Sequence, residues 1–84
     1  MTEYGLNYRV SDRIALTDGS GTRFHGIDFF AETEAEARTK ALALWNEVKA
    51  KYGDEVSRPS LDRLHPMPEG GSSFEPLSWS PVLN

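Results

Sequence analysis

The segment from Asp28 to Gly53 constrains this chain more than any other, because it runs unbroken from a strand end into a helix whose two ends are both marked. Thr33 and Glu36 stand at capping-box spacing, in which the hydroxyl accepts one backbone N–H and the carboxylate reaches back to another. Ala37, Ala41, Leu44, Trp45, Val48 and Tyr52 then recur at helical spacing. At 3.6 residues per turn they fall within an arc of roughly 100°, the width of a core-facing stripe. Gly53 stands where a left-handed residue closes a helix. The pattern predicts a helix over 34–52, with Glu34–Arg38, Glu36–Lys40 and Glu47–Lys51 as i,i+4 pairs on its wet side. Glu32, Glu34 and Glu36 complement the positive end of its dipole. Such a helix needs a sheet to receive its stripe.

The residues before it supply one. Between 4 and 16, Tyr4, Leu6, Tyr8, Val10, Ile14 and Leu16 share one parity and polar or small residues take the other, the signature of a strand with one buried and one wet face. Asp12 interrupts the inward series and marks a bulge, a bend or a lapse of the ladder. Asp18-Gly19-Ser20-Gly21 is turn chemistry, so 22–31 reads as a second strand returning as a hairpin. Phe24 lies on the even series there, whereas Ile27 and Phe29 lie on the odd one. A bulge at Gly26 would bring Phe24 and Ile27 onto a common face under the helix, with Phe30 turned away. Beyond Gly53, Pro59 and Pro66 bracket Leu61, Leu64 and Met67, which read as a third strand, with a single helical turn opening at Pro59 as the other option. The expected fold is α+β in two layers, order β-β-α-β, with a long bulged N-terminal hairpin. Residues 1–67 form its single domain, 68–73 a Gly/Ser linker, and 74–84 an extended apolar C-terminal segment.

Composition narrows the function classes. A chain of 84 residues buries only about 60–65% of its unfolded surface, so its core is thin and an enclosed pocket is not expected. With no cysteine, it has neither disulfides nor thiolate metal sites, which suits a reducing cytoplasm. No basic-then-apolar leader and no apolar run of membrane-spanning length is visible, so neither a signal peptide nor membrane contact is expected. Residues 1–36 hold seven acids against Arg9, Arg13 and Arg23, and the rest of the chain is neutral. Nucleic-acid binders offer a basic patch to phosphate, so nucleic acid is not the expected partner.

No motif carries recognisable chemistry. His25 and His65 lack second ligands at metal spacing. Gly19-Ser20-Gly21-Thr22 has neither the lysine nor the following helix of a phosphate loop. Ser20 and Ser60 lack a nucleophile elbow and a histidine–acid pair. Catalytic, cofactor-binding and metal sites are accordingly expected to be absent. Two groups remain as partner-binding candidates. Arg9, Arg13 and Arg23 project from the hairpin, and arginine is enriched at interfaces. Phe74, Leu77 and Trp79, with Val82 and Leu83, crowd a tail too apolar for disorder. Pro76 and Pro81 hold that tail extended, so it folds back on the sheet or lies against another chain.

The run Ala31-Glu32-Thr33-Glu34-Ala35-Glu36-Ala37-Arg38, joining strand to helix in a domain of this length, resembles many small orphan proteins of bacteriophages and other mobile elements. The likeness covers the layout of residues 4–67. It implies a protein that acts without catalysis, by docking on and blocking a host machine. The expectation is a protein-binding module with a protein partner. Its alternatives are a nucleic-acid-binding module using the hairpin arginines and a domain that homodimerises through its sheet edge or tail.

Overall fold

In the computed structural model, which describes residues 1–19 and 21–81, the alternation of the N-terminal segment holds as far as Val10 and then stops. The first strand, β1, is Thr2–Val10, with Tyr4, Leu6, Tyr8 and Val10 buried. Ser11 caps a six-residue helix, α1, at Asp12–Thr17, its hydroxyl oxygen accepting the Ile14 N–H. The same hydroxyl donates to Glu55. This side-chain bonding offers the backbone a helix start in place of further ladder, so the strand expected to reach 16 ends six residues early. Ile14 and Ala15 reach the core, but Leu16 is 76% exposed and not part of it as expected.

The second strand, β2, is Phe24–Ala31 and pairs antiparallel with β1 in unbroken register, Leu6 opposite Ile27 and Tyr4 opposite Phe29. Gly26 therefore makes no bulge. A Cβ there would lie 2.7 Å from Asn7 Oδ1, so the glycine clears space for a side chain crossing from β1. Without the bulge, Phe24 keeps the parity of Phe30 and leaves the helix side, contrary to its expected place in the core.

Helix α2 occupies Glu34–Tyr52, as its sequence predicts. Thr33 Oγ1 accepts the Glu36 N–H at 3.1 Å, and Glu36 reaches back to the Glu32 N–H. Gly53, at φ 62°, ends it and opens a 3-10 turn, Gly53–Glu55. Ala37, Ala41, Trp45 and Val48 are buried against the sheet.

The third strand, β3, is Val56–Pro66 and lies antiparallel along the other side of β1. Pro59 is tolerated because a register shift falls there: two steps of β1, from Asn7 to Arg9, face three steps of β3, from Ser60 to Ser57. Arg58 takes φ 55° within that bulge. A fourth strand, β4, Ser72–Leu77, pairs antiparallel with β3, Leu61 opposite Leu77 and Leu64 opposite Phe74. The stretch read as a linker is largely its hairpin turn: Gly70 and Gly71 take φ 97° and 75°, and Met67 bonds across to both. Pro76 fits because β4 is an edge.

The sheet order is β2-β1-β3-β4. α2 and the tail residue Trp79 cover one face, where Trp79 packs against both halves of the core. Arg38 donates to the Ser78 carbonyl and to Glu34, and Arg63 of β3 joins Glu34 at 2.7 Å. Val82 and Leu83 lie outside the described residues. Among those described, no helix is long and apolar enough to cross a membrane. The domain measures 37 × 33 × 17 Å, and 17 Å is the depth of one helix layer on one sheet. Among the described residues, no helix or tail segment covers the second face of the sheet.

Candidate protein-binding surface

Strand parity decides what stands on that bare face. β1 contributes Glu3, Gly5, Asn7 and Arg9; β2 contributes Phe24, Gly26, Asp28 and Phe30; β3 and β4 add Ser60, Asp62, Leu64 and Phe74. The middle is mostly polar, with Leu64 packed beside Gly5 and 7% exposed. Asn7 Nδ2 donates to Asp62 Oδ2 at 2.8 Å. A Cβ on Gly5 would touch Asp28 Oδ1 at 3.3 Å and Leu64 Cδ1 at 3.4 Å, so only glycine leaves those neighbours undisturbed. The flanks are aromatic: Phe24 and Phe30 are 63% and 53% exposed on β2, and Phe74 is 64% exposed on β4. Three large apolar rings on one unroofed sheet face are not explained by folding, which would have buried them.

The six residues singled out from the sequence separate in the structure. Arg9 stands on the bare face, opposite Phe24, and Phe74 shares that face from the far edge. Arg13 lies on α1, not on a strand, and is paired with Glu55. Arg23 precedes β2 and is paired with Asp12 at 2.7 Å. The three arginines therefore form no common basic patch. Leu77 and Trp79 face the other way, against the core under α2. Phe24 and Phe30 were missed as surface candidates; their signal is shared parity, six residues apart, in a strand with no bulge.

Beside Arg9, the end of the sheet and the turn after α2 enclose an open notch of about 250 Å³, lined by Ser11, Asp12, Asp54, Glu55 and Ser57. Among the described residues no group of three His, Cys, Asp or Glu side chains could hold a metal ion. Glu55 is the structural pin of this end. The Ser11 hydroxyl and then the Arg13 guanidinium hold its carboxyl below the usual carboxylate range. His65 and Arg63 do the same for Glu75. A carboxylate whose folded pKa is depressed adds stability above its unfolded value and loses it as pH falls through the folded one. In a pH series of urea unfolding curves, stability should therefore decline from the ordinary glutamate range downward. Glu55→Gln should be less stable than the parent at neutral pH, with the gap closing on acidification. A gap independent of pH would remove Glu55 from the acid response.

Set beside known proteins, the chain matches no family model, no curated protein and no solved structure.

Proposed function

We propose that this chain is a non-catalytic protein-binding module that docks through the bare face of its sheet. The observation that carries this reading is the exposure of Phe24, Phe30 and Phe74 on one helix-free surface. Aromatic side chains bury about 150–250 Å² each and dominate interface energetics. Three of them with their surroundings supply much of the roughly 800 Å² that one partner of a stable complex contributes. The resemblance of residues 4–67 to phage and mobile-element proteins supports a more specific form: a cytoplasmic inhibitor or adaptor that docks on a host complex.

Stacking aromatics on an open sheet also suit single-stranded nucleic acid, but that use needs a positive groove along the backbone. Here Glu3, Asp28 and Asp62 lie among the rings, and Arg13 and Arg23 are committed to ion pairs. The protein reading is therefore preferred.

The test is affinity capture from the host cell, the parent chain against Phe74→Ser, with mass spectrometry of what is retained. A defined protein complex held by the parent and lost by the variant, at unchanged melting temperature, is the expected result. Retention of nucleic acid with steep salt dependence would overturn it, as would identical protein capture by both chains.

A further inference from the structure

We propose that β2 is the seam of a two-fold dimer, in which two copies of this chain pair their Phe24–Ala31 edges antiparallel about Ile27 into one continuous sheet. This goes beyond docking on the bare face, since it concerns the backbone edge and a second copy. The Val10 N–H donates to the Arg23 carbonyl at 2.7 Å, so the odd residues of this strand turn toward β1. Lys40 Nζ reaches the Phe30 carbonyl at 2.8 Å from the other side, so the even residues turn outward. Register with β1 is unbroken, and Phe24, Gly26, Asp28 and Phe30 therefore all present backbone N–H and C=O groups away from the sheet. An edge of that kind is a template for another strand. The opposite edge, β4, is shorter, six residues against eight, and carries Pro76. β2 carries no proline. Its Lys40 contact uses one lone pair of one carbonyl, which leaves the second for a neighbouring strand.

Charge and register select a second copy and one axis. Stacking two bare faces would take the carboxylates Glu3, Asp28 and Asp62 of each copy out of water, with Arg9 on that face to offset them. Edge pairing keeps those carboxylates wet. Outward residues pair with outward residues, so the axis falls on a single residue. An axis at Asp28 sets two carboxylates directly opposite, and one at Gly26 leaves Phe30 beyond the paired strands. An axis at Ile27 places Phe24 opposite the partner's Phe30 and Gly26 opposite the partner's Asp28, with every outward backbone group bonded. Cross-strand aromatic pairs of that kind are stabilising. They also join the two bare faces into one surface with rings at its centre.

The axis makes the experiment specific. Ile27 meets the partner's Ile27 as a non-hydrogen-bonded pair, with Cα atoms about 4.5 Å apart, within disulfide range. The chain has no cysteine of its own, so Ile27→Cys should oxidise to a covalent dimer while His25→Cys stays monomeric. By sedimentation, the unmodified chain should show a concentration-dependent monomer–dimer equilibrium. Asp28→Asn removes a diagonal repulsion and should tighten it about two- to fivefold. Asp28→Pro removes the same charge together with an outward N–H that β1 does not use, and should abolish the dimer while keeping the melting temperature of the parent measured at monomeric dilution. A chain that stays monomeric up to its solubility limit overturns the proposal, as does a dimer indifferent to Asp28→Pro, or His25→Cys crosslinking as readily as Ile27→Cys.

Discussion

Replacing Trp45 with alanine should cost about 3–5 kcal/mol, the range for deleting a large buried aromatic side chain. Total stability for 84 residues is expected at roughly 4–13 kcal/mol, so the variant should be close to unfolding at room temperature. Trp45 is 3% exposed and joins Leu6, Tyr8, Val10, Val48 and Val56 in the larger half of the core. Its ring meets Tyr8 at 6.1 Å and 58°, a tilted geometry favoured between aromatic pairs. The indole N–H is buried with no hydrogen-bond partner among the described residues, which costs on the order of 1–3 kcal/mol. Trp45→Phe removes that stranded donor and keeps most of the ring, so its loss should be less than half that of alanine. Urea unfolding followed by circular dichroism measures both, with Trp79 left as a fluorescent reporter. An unchanged midpoint for the alanine variant would mean that α2 does not turn this face to the sheet. Equal losses for the two variants would mean that the indole N–H is satisfied.

What could be read from the sequence was what neighbouring residues decide among themselves. Thr33, Glu36 and Gly53 mark the ends of α2 by local chemistry, and its stripe is periodic over more than four turns, so the helix and the α+β class were legible. The end of β1 was not. Ile14 and Leu16 continue the parity of a strand, and the helix Asp12–Thr17 rests on the local cap at Ser11 together with bonds from Ser11 and Arg13 to Glu55, 44 and 42 residues away. β4 was hidden for a different reason: Gly70, Gly71 and Pro76 read as breakers, yet an edge strand behind a tight turn accommodates all three. Of the candidate residues, Arg9 and Phe74 stand on the open face, whereas Phe24 reads as core because a phenylalanine among alternating residues is normally buried. Arg13 and Arg23 looked free because their partners, Glu55 and Asp12, are brought to them by the fold.

Truncation after Glu69 should be the other severe change, destabilising the domain by more than about 2 kcal/mol and promoting aggregation. Half-burying Leu77 and Trp79 contributes on the order of 2–3 kcal/mol on the usual scale for apolar side chains. Both pack against the core half that contains Tyr4 and Leu61. The cut also strips the ladder from β3, so an interior strand becomes a long unprotected edge, a template for pairing with other chains. Polar ties go with it: Glu75 leaves Arg63 and His65, and the Ser78 carbonyl leaves Arg38. Arg63, which sits 5.8 Å from the centre of the Tyr4 ring, keeps Glu34 alone among its carboxylate contacts. Trp79→Ala separates packing from pairing, because it keeps β4 and should cost less than the truncation. Melting curves give the loss, and hydrogen exchange at the β3 amides facing β4 gives its location. Unchanged melting with those amides still protected would mean that β4 does not stand on β3 in solution. Unchanged melting with loss of a captured partner would make residues 72–81 an interaction motif instead of a structural strand.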